Sequence, residues 1–247
     1  MAIHDFTSER LFVDAPIGAG DRVTLSPEHA NYLFNVLRLD AGSELLVFNG
    51  RDGEWRARIE RPAKRSASLD VLAKVREQTG GPDIDYLFAP LKRARLDYMV
   101  QKAVELGVAR LRPVMTRRTV AERVNLERMR ANAIEAAEQC GVLRLPEIVP
   151  PERLEQVIAA WDPHRPLVVA DEQAAVSSPT TALAALPLGS PLGVLIGPEG
   201  GFAPEERAAL LSKPFVLPIS LGPRIMRADT AAVATLALVN AVLGDWR

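Results

Sequence analysis

Two short stretches in the C-terminal part of the chain combine glycines with charged side chains. They are IGPEGGF, over 196–202, and LGPRIMRADTA, over 221–231. Glycine lets the main chain approach a ligand closely, and proline stiffens a loop that would otherwise be loose. Carboxylates can accept a proton and guanidinium groups can stabilise an anion, so both stretches hold residue types suited to acid–base catalysis. Their charged side chains are Glu199, Arg224, Arg227 and Asp229.

The acid in the first stretch indicates what kind of ligand would fit. The chain has neither the lysine-containing pattern of a phosphate-binding P-loop nor a G-x-G-x-x-G fingerprint. Glu199 would repel a triphosphate, whereas a carboxylate suits a ligand with hydroxyls, an amino group or a positive charge, as in S-adenosylmethionine. A second interpretation stays open, in which Glu199 only accepts backbone hydrogen bonds and both stretches are plain strand-to-helix connections.

The elements around these stretches alternate between strand and helix. Alternation of this kind predicts an α/β domain, a parallel sheet with helices on both faces, in which ligands bind beyond the carboxyl ends of the strands. Both stretches follow strands that are consecutive in the chain, so we expect them to be neighbours in the sheet. The predicted strands are 85–91, 110–115, 166–171, 192–197 and 215–221. The predicted helices are 95–106, 125–140, 151–161, 179–186, 204–212 and 229–244, the last one capped by Asp229 or Thr230.

The first part of the chain has a different texture. Short alternating runs and the Asn-Gly and Asp-Gly turn at 49–53 predict a small antiparallel β-barrel, over 1–77, joined through QTGGPD to a second domain, over 82–247. One helix interrupts the barrel, with Ser26 as its cap and with Leu33, Val36 and Leu37 on one face. The predicted strands are 10–13, 22–25, 44–50, 54–60 and 68–75.

Composition excludes several classes of protein. The 247 residues are 48% apolar and 25% charged, as in ordinary globular proteins. A single cysteine, Cys140, excludes an intramolecular disulfide, and three scattered histidines give no metal-ligand spacing. We expect no metal site, no membrane span, a cytoplasmic location and a buried Cys140.

Charge is distributed unevenly along the chain. Residues 81–130 contain 11 Lys and Arg against 6 Asp and Glu, although the net charge of the whole chain is -1. A local basic cluster can contact a polyanion, because phosphate contacts need only local positive charge. A solvated helix face is the alternative explanation.

Five ordered motifs resemble a known family, the bacterial small-subunit ribosomal RNA uridine-N3 methyltransferases of the knotted SPOUT superfamily. The resemblance spans nearly the whole chain. The motifs are the two glycine stretches, HANYLFNVLRL (29–39), KAVELGV with RPVMTRRT (102–119), and EAAEQCG with RLPEI (135–148).

The resemblance implies a fold and an activity that the residues alone do not give. It implies a PUA-like RNA-binding barrel followed by a SPOUT domain with a deep trefoil knot, whose loops hold S-adenosylmethionine. A knot runs against the default expectation for protein chains. Members are homodimers that methylate one uridine in the decoding region of 16S rRNA on the assembled small subunit. Two alternatives stay open, namely a knotted methyltransferase acting on tRNA or on a ribose 2′-oxygen, and an RNA-binding protein without catalysis.

The resemblance also assigns residues to the cofactor. Three departures from the family pattern are Met226 for Leu, Asp229 for Glu, and Val142 for Arg, the last of which passes an expected RNA contact to Arg144. Ala203 also replaces a capping Ser. The cofactor-binding residues are Leu195, Ile196, Gly197, Pro198, Glu199, Gly200, Gly201, Leu217, Leu221, Gly222, Ile225, Met226, Arg227 and Thr230.

Methyl transfer to uridine requires alignment of two bound reactants and removal of the imino proton. We predict that Arg227, with Arg224, stabilises the anionic ring, and that Glu199 or Asp229 accepts the proton.

A set of mostly arginine side chains is predicted to bind RNA. Arginine suits forked contacts with phosphate and stacking on bases, although some members of the set can be ordinary surface charges. The predicted RNA-binding residues are Arg38, Arg56, Arg58, Arg61, Lys92, Arg93, Arg95, Arg117, Arg118, Arg123 and Arg144.

Overall fold

The computed structural model describes residues 5, 7–63, 66–121, 123–175 and 177–246. The chain forms two compact units. The first comprises the residues up to Gly80 together with Ala137–Arg144, and the second comprises Gly81–Ala136 and the residues from Leu145 onward. The sequence predicts a division near 78–83 but places 137–144 in the second domain, whereas the contacts of this segment belong to the first unit.

The first unit is built on a five-stranded sheet with the order β1-β3-β4-β5-β2. All pairings are antiparallel except that of β1 with β3. The turn between β3 and β4 forms as predicted, because the Asn49 side-chain oxygen accepts the backbone N–H groups of Arg51 and Asp52. The strands are β1 Arg10–Phe12, β2 Arg22–Thr24, β3 Glu44–Phe48, β4 Glu54–Ala63 and β5 Ser66–Arg76.

The helix of the first unit is shorter than predicted. Helix α1, Pro27–Asn31, has the predicted Ser26 cap, but it continues as a π-helical turn over Tyr32–Val36, in which Leu37 N–H donates to Tyr32 O at 2.9 Å. The wider turn rotates the following residues, so Leu33 is buried while Val36 is 60% exposed. The predicted common face is therefore wrong for Val36, whereas Leu33 and Leu37 both pack in the core of the first unit.

A buried ion network holds segment 137–144 in the first unit. The Glu54 carboxylate, 1% exposed, accepts from Arg10 Nε at 2.9 Å and from Arg76 Nε at 2.7 Å. Arg76 Nη2 also donates to Gly141 O at 2.9 Å, and the Glu138 carboxylate accepts from Phe12 N–H at 2.8 Å. A buried carboxylate between two guanidinium groups leaves both uncompensated if it is removed.

We expect Glu54→Gln to lower the free energy of unfolding by about 3 kcal/mol, because two buried guanidinium groups lose their counter-charge. Urea denaturation of the variant measures the loss. Glu44→Gln is the matched control, since Glu44 pairs with Arg58 at the surface and an exposed pair contributes less than about 1 kcal/mol. Equal losses in the two variants would contradict the account of the network.

The second unit contains the predicted parallel sheet, with the order β12-β10-β11-β6-β7-β8 and β9 paired to β7. Every pairing is parallel. The strands are β6 Ile84–Phe88, β7 Arg110–Met115, β8 Glu147–Ile148, β9 Glu152–Arg153, β10 Leu167–Ala170, β11 Leu192–Ile196 and β12 Val216–Ile219. The helices are α2 Arg93–Glu105, α3 Leu126–Cys140, α4 Leu154–Ala160, α5 Pro179–Leu183, α6 Pro204–Leu211 and α7 Ala228–Val242. The last four residues of α3 belong to the first unit.

The two glycine stretches follow β11 and β12. The sequence predicts that these strands are neighbours in the sheet, and this prediction is wrong. Strand β10 lies between them and pairs with both. Its last residue, Ala170, is in register with Ile196 at the end of β11 and with Ile219 at the end of β12. The two loops therefore leave the same edge of the sheet at the same level, on either side of β10.

Two local predictions, the cap of the last helix and the burial of Cys140, have clear outcomes. Helix α7 begins at Ala228 with Arg227 as its N-cap residue and without a side-chain cap, so the predicted Asp229 or Thr230 cap is wrong. Cys140, predicted to be buried, is exposed. The ion pair between Lys102 and Glu105 has an N–O distance of 2.7 Å. Within the described part of the chain, no helix is long and apolar enough to cross a membrane.

Candidate active site

The first glycine loop, 196–202, is a tight turn fixed by main-chain contacts. Gly201 N–H donates to Pro198 O at 2.8 Å, and Gly201 has a φ of +68°. Arg118 Nη1 donates to Gly200 O at 2.6 Å. At Gly197 a side chain would meet the Phe202 ring, since an added Cβ would lie 2.9 Å from it. Local geometry thus requires glycine at 197 and at 201, whatever ligand the loop binds.

Glu206 anchors the helix that follows this loop. Its carboxylate is buried and accepts from Ala203 N–H at 2.9 Å and from Arg117 N–H at 2.7 Å. Ala203 has no hydroxyl to cap α6, so Glu206 supplies the acceptor from the first turn. These two hydrogen bonds offset the loss of the capping Ser that Ala203 replaces.

The second glycine loop, 221–231, has a run of exposed side chains over 223–225 and again at 227. Gly222 has a φ of +99°, and the Ile225 side chain is 97% exposed. Arg224 and Arg227 are exposed, and neither has an ion-pair partner among the described residues. Two guanidinium groups in this state are free to meet an anionic substrate.

Arg95 connects the two loops. From the first turn of α2, its Nη1 pairs with the Glu199 carboxylate, and its Nε lies 4.0 Å from Asp229 Oδ2. The predicted proton acceptors, Glu199 and Asp229, thus share one cation. Arg95 is a member of the predicted RNA-binding set, and sequence reasoning missed this role because nothing near it in the chain indicates a partner 104 residues away.

Tyr86 adds a buried side chain to the group formed by Arg95, Glu199 and Asp229. It lies on β6, is fully buried and stacks on Phe88 at 5.0 Å between ring centroids. Burial raises the pKa of the Tyr86 hydroxyl well above its usual range, and the negative charge of Asp229 adds to the effect. The hydroxyl has no hydrogen-bond partner among the described residues. The site therefore contains a neutral buried hydroxyl near one of its carboxylates.

The remaining predicted cofactor residues differ in accessibility. Leu195 and Ile196 are buried, and Leu195 packs in the apolar core of the second unit. Leu217 on β12 is partly exposed. At the end of β10, the Asp171 carboxylate accepts from Arg207 Nη2 at 2.7 Å. Pro198, Leu221, Met226 and Thr230 belong to the two loops or to the first turn of α7.

Three of the predicted RNA-binding residues of the second unit contact the first glycine loop or helix α6. Arg117 pairs with Glu205 at 3.0 Å, next to the Arg118 contact with Gly200. Lys92 and Arg93 are exposed at the start of α2, and Arg93 has a φ of +25°. Arg123 is also exposed.

The predicted RNA-binding residues of the first unit differ in their contacts and exposure. Arg56 and Arg58 both pair with Glu44, which offsets part of their charge. Arg61 lies over the Phe34 ring at 4.3 Å, and Arg38 is exposed with a φ of +57°. Arg144 is half-buried. Among all the residues described, no group of three or more His, Cys, Asp or Glu side chains could hold a metal ion.

Comparison with known proteins decides the family. The RNA methyltransferase domain family matches residues 79–240, and the RNA methyltransferase PUA domain family matches residues 19–72. The ribosomal RNA small subunit methyltransferase E of Synechocystis is 32% identical over 90% of this chain and 73% of its own length. The chain belongs to this methyltransferase family. The motif resemblance found in the sequence is confirmed.

Further members of the family agree over nearly the full length. The Rickettsia conorii methyltransferase E is 28% identical, with 94% of each chain covered. The Neisseria gonorrhoeae methyltransferase E, solved with bound S-adenosylmethionine, superposes with a TM-score of 0.85 at 25% identity, covering 97% of this chain and 100% of that one. Lpg2936 from Legionella pneumophila, also solved with the cofactor, gives a TM-score of 0.84 at 30% identity over 96% and 99%.

Gly201→Ala tests the geometry of the first glycine loop. We expect the free energy of unfolding to fall by about 1–2 kcal/mol, because the new side chain would occupy a left-handed conformation. Its Cβ would also lie 2.6 Å from Glu172 Oε1. Chemical denaturation measures the change. Gly200→Ala is the control, since its Cβ would meet only Arg118 Cδ at 3.6 Å. A greater loss in the control would refute this geometry.

Proposed function

We propose that this protein transfers the methyl group of S-adenosylmethionine to N3 of one uridine in 16S rRNA of the assembled small ribosomal subunit. One observation carries the proposal: two loops at one edge of the sheet bring Glu199 and Asp229 to a single guanidinium group, while Arg224 and Arg227 stay exposed. Family membership supports the reaction class. The Rickettsia, Synechocystis and Neisseria relatives are named as small-subunit rRNA methyltransferases, and the Neisseria protein and the methyltransferase Lpg2936 were solved with the cofactor.

The residues of the two loops fit the proposed cofactor. Its methyl group is already activated by the sulfonium, so the protein must chiefly align the reactants. The main chain of 196–201 and of 221–227 would hold the cofactor, with Gly201 and Gly222 providing conformations that other residues adopt only at a cost. Exposed apolar surface at Ile225 offers a contact for the adenine. Two carboxylates close by suit a cationic ligand, as the sequence predicts.

The charged side chains have distinct tasks in this reaction. The uridine N3 is a poor nucleophile until its proton leaves, so Glu199 or Asp229 accepts that proton. Asp229 is less exposed than Glu199, and its pairing with Arg95 is looser. We therefore favour Asp229 as the acceptor. The exposed guanidinium groups of Arg227 and Arg224 stabilise the anionic ring that results.

Arg227→Ala tests both the reaction and this assignment. We expect S-adenosylmethionine to bind with unchanged affinity, whereas the rate of methyl transfer to unmethylated small subunits falls about 10²–10³-fold, as when a stabilising donor is lost. Calorimetry measures binding, and transfer of labelled methyl groups measures turnover. Arg153→Ala, at an exposed pair with Glu155, is the control and keeps full activity. Unchanged turnover in Arg227→Ala would remove Arg227 from the mechanism, and a wild-type protein that binds no cofactor would favour the non-catalytic alternative.

Arg38 is the sharpest test of RNA binding by the first unit. Its φ of +57° suits glycine better than arginine, so Arg38→Gly relieves strain while it removes a positive charge. We expect stability to be equal or higher and affinity for the small subunit to fall, with the slope of log K against log salt reduced by about 1.

Arg22→Ala is the control for this test, since Arg22 is exposed and pairs with Asp70 outside the predicted RNA-binding set. Fluorescence titration at several salt concentrations measures the slope. An unchanged affinity and slope in Arg38→Gly would show that this arginine does not contact RNA.

We also infer the trefoil knot, the homodimer and the cytoplasmic location from the family. The order of the sheet supports a crossing of the chain, because the connection from β11 to β12 must cross over β10, which lies between them. Helix α7 supports a dimer, since one face is buried while Val233, Ala234, Ala237 and Leu238 on the other are only half-buried. A different RNA target, tRNA or a ribose 2′-oxygen, is the second candidate, because cofactor loops do not specify the modified atom.

A further inference from the structure

Arg95 has no assigned task in the proposed methyl transfer. It extends from the first turn of α2, which contains no acidic residue, and contacts carboxylates from both glycine loops. Glu199 and Asp229 together carry two negative charges, and Arg95 supplies one positive charge between them. The guanidinium group thereby partly neutralises the place where a cationic ligand would gain most from the carboxylates.

The contact can be exchanged at low cost. The side chains of Arg95 and Glu199 are 38% and 51% exposed, and an ion pair at such a surface contributes little to stability. At 4.0 Å, the contact of Arg95 Nε with Asp229 is looser still. A second cation entering between the loops can therefore compete with Arg95 for the same oxygens without unfolding either loop.

The two ligands of a methyl-transfer site differ in this charge. S-adenosylmethionine carries a sulfonium, whereas S-adenosylhomocysteine has a neutral thioether and is otherwise nearly the same shape. Once the methyl group leaves as the bond to N3 forms, the sulfur keeps the electron pair of the broken bond and loses its positive charge. A site with two uncompensated carboxylates would favour the charged form strongly.

We propose that Arg95 is a positioning residue that sets the selectivity of the site between the sulfonium cofactor and its neutral product. It balances Glu199 and Asp229 when no ligand cation is present, so the neutral product does not leave two carboxylates uncompensated. This inference rests on the proposed function, because it requires the cofactor to bind between the two loops. It adds a role to a residue that the sequence assigns to RNA.

The test compares the dissociation constants of both ligands by calorimetry in the wild type, Arg95→Ala and Arg95→Lys. We expect the ratio of the S-adenosylhomocysteine constant to the S-adenosylmethionine constant to rise about three- to tenfold in Arg95→Ala, as for one charge removed a few ångströms away in a partly solvated site. Arg95→Lys keeps the charge and should hold the ratio within about twofold of the wild type.

Arg128→Ala is the matched control, because it removes another guanidinium group that pairs with a carboxylate of α2, Asp97, at 2.6 Å. It should leave the ratio unchanged. If Arg95→Ala does not fold, Arg95→Gln replaces it with the same expectation. Equal weakening of both ligands, or a ratio that stays constant or falls, would overturn the proposal by reducing Arg95 to a structural brace. Failure of the wild type to bind either ligand would instead refute the proposed function.

Discussion

The parallel register of β10 with its two neighbours is the constraint on which the site depends. Ala170 aligns with Ile196 on one side and with Ile219 on the other, so the glycine loops begin level with each other although one strand separates them. Parallel strands present their carboxyl ends at one edge, where ligands commonly bind. A shift of one residue in either pairing would turn the side chains of that strand to the opposite face. Loop positions are thus set by the backbone of the sheet before any side chain contributes.

Electrostatic contacts then restrain the segments next to the glycine loops. Glu206 holds the start of α6 against Arg117, and Arg207 holds Asp171 at the end of β10. These contacts are buried or partly buried and restrain the loop bases. By contrast, the charges that would face substrates are exposed or only loosely paired. The buried charges thus restrain the loops, whereas the exposed charges are available to substrates. Arg95 combines both properties, because it is partly exposed and also pairs with a loop carboxylate.

Sequence patterns predicted most elements of both units, because each depends on local composition. They missed β8 and β9, each two residues long, and β9 lies inside the predicted helix 151–161, which begins only at Leu154. Apolar runs gave the strands, Ser26 and Pro27 gave the start of α1, and Asn49 with Gly50 gave the first hairpin turn. Ordered motifs then identified the family, which composition could not do. What sequence reasoning missed depends on long-range contacts: β10 between the two loop-bearing strands, and segment 137–144 in the first unit.

The missed features of the candidate site have the same origin. The link from Arg95 to Glu199 joins residues far apart in the chain, and no local pattern marks it. A local cause applies outside the site, at the π-helical turn over Tyr32–Val36, where Val36 is exposed because ordinary helical spacing assumes a narrower turn.

The central claim is that this protein methylates N3 of one uridine in 16S rRNA, and mass spectrometry of the modified nucleotide tests it most directly. Small subunits from a strain lacking the enzyme would be treated with the purified protein and S-adenosylmethionine, and the rRNA would be digested and sequenced by mass. We predict a single added methyl group on the base of one uridine, at N3. A methyl group on a ribose oxygen, on another base, or only on added tRNA would contradict the account.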